Sequence, residues 1–230
     1  LDYFNAMTER RAKIGLKATI TKHNVEHQKD AIDFFFDNYG IDLFWVDPIF
    51  PPVFNVTEKI YEPVDIMKFA ATFIEAHEHA WKRNIFYESN LTTNFDGETD
   101  KACYACLPMP NLTVDGYLSA CEMATNGKDV GKMDPMIYAR YDDESDTIIY
   151  DEEKLKVLRS RTLSSMPAVC QTCIANKHCA GFCLGETLNE TGSLFEIKTT
   201  VCPAICHIYE SIGHLYPQRF GGAGFPYRHP

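Results

Sequence analysis

Cys170-Gln-Thr-Cys173-Ile-Ala-Asn-Lys-His-Cys179-Ala-Gly-Phe-Cys183 gathers four thiols within 14 residues, at spacings x2, x5 and x3. Cysteines used only for packing do not crowd in this way. Soft thiolates at such spacing point to zinc or iron. Upstream, Cys103-x2-Cys106 is followed by Gly116-Tyr-Leu-Ser-Ala-Cys121, and downstream lie Cys202 and Cys206. The total of nine cysteines is odd, and the N-terminus has no basic stretch leading into an apolar one. A secreted disulfide framework is therefore disfavoured, and a reducing, cytoplasmic setting is expected. The sequons at Asn55, Asn90, Asn111 and Asn189 are read as chance matches.

The bulk numbers exclude other classes. A net charge of −10 makes nucleic acid and anionic membranes poor partners. No apolar run approaches the ~20 residues that span a bilayer. The opening residues Leu1, Phe4 and Thr8 read as a helix already under way, which leads us to expect a piece of a longer polypeptide.

Working outward, residues 15–47 read as a βαβ unit. Leu16, Ala18 and Ile20 alternate with polar residues, and Thr21–Asn24 turn the chain, with Asn24 as the expected N-cap. Ile32, Phe35, Phe36 and Tyr39 form one helical stripe, closed by Gly40. Ile41 to Val46 is a nearly continuous apolar run, the pattern of a parallel strand. After Pro48, Pro51 and Pro52, an irregular stretch leads to a helix over 64–82, striped by Ile66, Phe69, Ala70, Phe73, Ile74, His77 and Trp81. Ile85–Tyr87 suits one more short strand. From about residue 97 the chain turns to Gly, Pro, Asn and Cys. Residues 112–121 predict a hairpin with an Asp115-Gly116 turn. The acidic run 141–153 reads as a solvated loop, followed by a helix over 152–164. Pro203 starts a last helix, lined by Ile205, Ile208, Tyr209 and Ile212.

The cysteine pattern resembles the SPASM domain of radical S-adenosylmethionine (SAM) enzymes. That family's pattern is C-x(9–15)-G-x4-C, then C-x2-C-x5-C-x3-C, then a last C. Cys106-x9-Gly116-x4-Cys121, the Cys170–Cys183 block and Cys202 match it, over roughly residues 97–215. The resemblance implies two auxiliary 4Fe–4S clusters. One would be held by Cys103, Cys106, Cys121 and Cys183, the other by Cys170, Cys173, Cys179 and Cys202. It implies an α/β fold: the C-terminal segment of a partial (β/α)6 radical SAM barrel over 1–95, then a small α+β cysteine-rich SPASM domain over 96–216, then a loose tail over 217–230. It implies a maturase that modifies a peptide or protein by radical hydrogen abstraction, giving a thioether or carbon–carbon crosslink or formylglycine. The auxiliary clusters would serve electron transfer, fed by a donor such as ferredoxin or flavodoxin.

One departure bears on mechanism. The family holds its SAM-cleaving cluster in CxxxCxxC, yet no such motif occurs here and no cysteine precedes Cys103. Either this chain is the C-terminal part of a longer enzyme, in whose remainder SAM and a third 4Fe–4S cluster are expected, or it is a degenerate relative that keeps only the auxiliary clusters; the helical start favours the first, and this chain alone is expected to be inactive. The alternative is a structural module holding two zinc ions through eight cysteines. Cys206, one turn beyond Cys202, is read as a small buried packing residue or as a replacement for Cys202. His77 is expected in the core, and His178 exposed in the cysteine loop. Asp47 ends a barrel-like strand, where active-site residues project, or caps the Pro48 turn.

Overall fold

A computed structural model describes residues 14–51, 62–128 and 130–216. The expected opening helix, most of the irregular stretch before residue 62 and the tail lie outside them. The described residues fall into two compact units, one of residues 14–49 and 62–90, the other of residues 50–51 and 91–216.

The first unit is a parallel three-stranded sheet with two helices. Its elements are β1 (Leu16–Ile20), α1 (Gln28–Tyr39), β2 (Leu43–Pro48), α2 (Ile66–Lys82) and β3 (Phe86–Glu88), with strand order β1-β2-β3. Leu16 pairs with Phe44 and Leu43 with Phe86. Helix α2 starts where Asp65 accepts the amides of Met67 and Lys68 at 2.9 Å each, satisfying two of the helix's unpaired donors. It buries Phe69, Ala70, Phe73, Ala76, His77 and Ala80, the periodicity the sequence carries. Phe73 packs between Phe69 and Tyr87 at 5.7 and 5.4 Å between centroids. His77 lies buried between the rings of Phe73 and Trp81.

Two expectations need correction here. Asn24 does not cap α1: its carboxamide accepts the Thr21 amide and donates to the Thr19 carbonyl, closing the turn, and a 3₁₀ turn over Val25–His27 precedes the helix. The α1 stripe is also not uniformly buried. Ile32 is fully enclosed, whereas Tyr39 is 62% exposed. Only the N-terminal half of α1 carries a residue with no solvent access in the stripe. Gly40 does close the helix in the left-handed conformation, its amide donating to Phe35 and Phe36.

The second unit is built on an antiparallel sheet of β4 (Asn111–Leu112), β5 (Tyr117–Ser119), β6 (Ile137–Asp142) and β7 (Thr147–Tyr150), in that order. Asp115 and Gly116 make the first turn, Gly116 at φ +82°. The acidic run is not a loop. Asp142 and Asp146 belong to the tight turn of the β6–β7 hairpin, and the Asp142 carboxylate accepts both the amide and the hydroxyl of Ser145. Ile148, Ile149 and Tyr150 supply the strand propensity that charge counting hid.

Helix α3 (Glu152–Ser160) is capped by Asp151 and is shorter than expected. The cysteine block carries two single-turn helices, α4 (Ala168–Gln171) and α5 (Asn176–Cys179), then α6 (Leu184–Thr191), and the unit closes with α7 (Cys202–Ile212). Helix α7 buries Ala204, Ile205, Ile208 and Ile212, with Pro203 in its first turn.

Candidate metal centre

All nine cysteines are free thiols. The fold gathers them into two sets. Cys103 and Cys106 flank a 3₁₀ turn over Tyr104–Cys106, Cys121 follows β5, and Cys183 occupies the N-cap position of α6. Cys121 is within electrostatic reach of Cys183 and Cys103, and Cys183 of Cys103. Leu158, Leu184, Met133 and Met136 enclose this set in the core of the unit.

Cys170, Cys173, Cys179 and Cys202 form the second set, with Cys206 among them. These five thiols line a partly open cavity. Cys206 Sγ lies 3.5 Å from Cys173 Sγ. The expectation that Cys206 is merely a buried packing residue is corrected: it is half-buried and faces the cavity, because α7 presents residues 202 and 206 on one face.

The donor chemistry suits thiolate-bound metal. Burial, with neighbouring thiols contributing, pushes Cys121, Cys179 and Cys183 up to about 12 and Cys202 up to about 11. Burial likewise pushes Cys206 up to about 12, with its hydrogen bond to Cys173 adding to the rise. The bond between Cys103 and Cys106 raises Cys103 and lowers Cys106. Thiols crowded in this way resist ionising together until a cation compensates them. Backbone amides nevertheless point at the sulfurs. Leu184 and Ala105 donate to Cys103, Gly185 and Glu186 to Cys183, and Gly181 and Phe182 to Cys179. Amide donors of this kind stabilise metal-bound thiolates and tune the metal. Among the described residues, no three His, Cys, Asp or Glu side chains converge on a point that holds a single ion. The second set rings a space instead.

Glycines permit the close approaches. A Cβ on Gly185 would lie 3.0 Å from Cys121 Sγ and 2.5 Å from Met123 Sδ. Between Cys179 and Cys183, Ala180, Gly181 and Phe182 all have positive φ, at 46°, 90° and 66°. This left-handed run turns the chain so that Cys179 joins one set and Cys183, four positions on, joins the other.

Arg161 and Lys198 were not singled out by sequence reasoning. Lys198 lines the thiol cavity with its side chain 2% exposed, and pairs with Glu186 at 2.8 Å and Glu190 at 3.5 Å. Arg161 is fully buried and donates to the carbonyls of Ala180, Gly181 and Leu194. Neither shows a pattern in the sequence, since each looks like an ordinary surface cation. His178 is half-buried rather than exposed. Its Nδ1 lies 3.0 Å from the Asn94 carbonyl and 3.1 Å from that of Gly97, so that nitrogen carries the proton and donates. In the first unit, Asp47 lies within β2 and is buried. Its carboxylate accepts from the Asn90 amide at 2.7 Å, Trp45 Nε1 at 3.0 Å and Ser89 Oγ at 3.3 Å, which ties β2 to the segment after β3.

The chain shares its fold with part of the solved anSMEcpe structures. It is similar to the solved structure of polyhistidine-tagged anSMEcpe with bound AdoMet, at a TM-score of 0.60 and 11% identity over 90% of this chain and 54% of that one. It is similar, at 0.59 and 12% identity over 90% and 56%, to native anSMEcpe with bound AdoMet and Kp18Cys peptide. A third structure, with AdoMet and Cp18Cys peptide, gives 0.56 and 11% over 90% and 57%. At these identities the likeness is one of fold, and the chain spans a little over half the length of the structures it matches. No protein-family model matches the chain, and no curated protein matches it. No helix among the described residues is long and apolar enough to cross a membrane.

Proposed function

We propose that this chain is the auxiliary-cluster part of a radical SAM/SPASM maturase that modifies a peptide or protein. The carrying observation is the sorting of the nine cysteines into two all-thiol sets, with backbone amides aimed at the sulfurs of Cys103, Cys179 and Cys183, on a radical SAM/SPASM fold. Cys103, Cys106, Cys121 and Cys183 would hold one 4Fe–4S cluster, and Cys170, Cys173, Cys179 and Cys202 the other. Bound there, the clusters supply one-electron transfer. The chain's own residues fix the thiolates, keep water from the first set through Leu158, Leu184 and Met133, and leave the second facing an open cavity. The peptides bound in the similar anSMEcpe structures support a peptide substrate. The SAM-cleaving cluster and SAM itself belong to the remainder of such an enzyme, with ferredoxin or flavodoxin as electron donor.

Metal and sulfide analysis of anaerobically purified protein tests this reading. About eight irons and eight sulfides per chain are expected. About two zincs without sulfide would instead make the module structural. Cys183→Ala is expected to lose the first cluster and keep the second, read as half the iron and one of two EPR signals. Loss of the second signal alone would overturn the ligand assignment.

A further inference from the structure

Arg161 is an anomaly in this fold. It is the largest of the fully buried side chains. Its guanidinium donates to the carbonyls of Ala180 and of Gly181 and Leu194, the latter two at 2.8 and 3.4 Å, and all three acceptors are neutral. Among the described residues no carboxylate lies within ion-pair distance of it. Lys198, the other buried cation of the unit, has Glu186 and Glu190 against it. A buried, uncompensated charge carries a large desolvation cost unless an anion answers it.

The position of Arg161 says which anion. The carbonyls of Ala180 and Gly181 lie between Cys179 and Cys183, one thiol from each set. The guanidinium therefore rests on the shortest of the three chain links between the sets. A Cβ on Gly181 would lie 2.5 Å from Nη2, so the fork fills the space above this left-handed turn. Cys106 of one set and Cys170 of the other also lie within electrostatic reach of it.

We infer that Arg161 is a positioning residue shared by the two thiol sets: the countercharge for both iron–sulfur sites, raising both reduction midpoints while its fork holds the turn between Cys179 and Cys183. This rests on the cluster reading above. Each one-electron reduction adds a negative charge to a site, and a fixed cation in a low-dielectric interior favours the reduced state. One cation between two sites couples them to the same residue.

The experiment is an EPR-monitored redox titration of anaerobic, iron-loaded protein, wild type against Arg161→Gln, Arg161→Lys and Met166→Glu. Met166 Cε lies 2.8 Å from the same point above Gly181, so a carboxylate introduced there would neutralise the guanidinium in place. Both midpoints are expected to fall in Arg161→Gln and in Met166→Glu, and to stay close to wild type in Arg161→Lys. Unmoved midpoints in an iron-loaded Arg161→Gln, or a fall at one site only, would overturn the inference. If Arg161→Gln does not retain iron, Met166→Glu decides by the same criteria. If neither retains iron, loading of Arg161→Lys supports a need for the charge, and its failure reduces Arg161 to a backbone anchor. Wild-type protein without iron and sulfide would instead overturn the cluster reading itself.

Discussion

The two units solve the problem of a stable interior differently. The sheet unit closes around Ile32, Phe69, Phe73, Ile85 and Tyr87, all essentially without solvent access. Its buried polar groups answer one another: Gln28 donates to Thr72 Oγ1 at 2.7 Å and accepts from Tyr87 at 2.6 Å. The cysteine unit has strands as short as two residues, single-turn helices, a buried arginine and thiols that repel one another's charge. The first interior contains no thiols. On the proposed cluster reading, the second interior is completed by its metal, so folding and metal loading would be linked there and not in the sheet.

The largest effect that could break this contrast is iron removal. Amide hydrogen exchange after anaerobic chelation should rise sharply across Cys103–Cys121 and Cys170–Cys206, while the β1–β2–β3 amides keep their protection. Equal loss in both units would end the distinction. Phe73→Ala is the reverse probe. It should cost the sheet unit about 3–5 kcal/mol in urea unfolding, leaving iron content unchanged. Gly181→Ala forces a Cβ into the left-handed turn and against Arg161, and a loss of about 1–3 kcal/mol is expected in the cysteine unit alone. The smallest effect concerns Asp47. Burial raises its carboxyl above the ordinary 3.8, more than its hydrogen bonds lower it. The folded state therefore holds that proton more tightly than the unfolded chain. The resulting stability is fully present below the unfolded value and lost as pH rises through the folded one. Asp47→Asn, measured by urea unfolding, should gain on wild type as pH rises from below the ordinary carboxyl value to neutrality. A pH-independent difference would mean the carboxylate ionises without penalty.

Legibility in the sequence tracks how local the determining physics is. The strand at Leu16–Ile20, the Phe69–Phe73–His77 stripe and the Asp115-Gly116 turn are set within a few residues and read correctly, although the expected burial alternation of that strand fails at Ala18, which is exposed. Cysteine spacing also carried the fold, because a metal site imposes geometry on the chain that holds it. Helix α1 was misjudged because exposure of Tyr39 depends on what packs over the helix rather than on its own period. The β6–β7 hairpin was hidden by its acidic turn. The burial of Arg161 was unreadable, since it ends α3 like any surface cation and turns inward to carbonyls 19 and 20 residues later.

Strand β7 has a consequence for handling the protein. It is the outermost of the four described strands of its sheet, and all four of its residues are exposed, Ile148 and Ile149 among them. Such an edge is where copies of a chain add to one another and precipitate at high concentration. The carboxylates of Asp142, Asp143, Glu144 and Asp146 sit at its entrance, so any copy approaching in the same orientation brings like charge against like charge. In concentrated samples, salt that screens this repulsion works against solubility, and alanine substitutions meant to simplify the acidic turn remove a guard against aggregation.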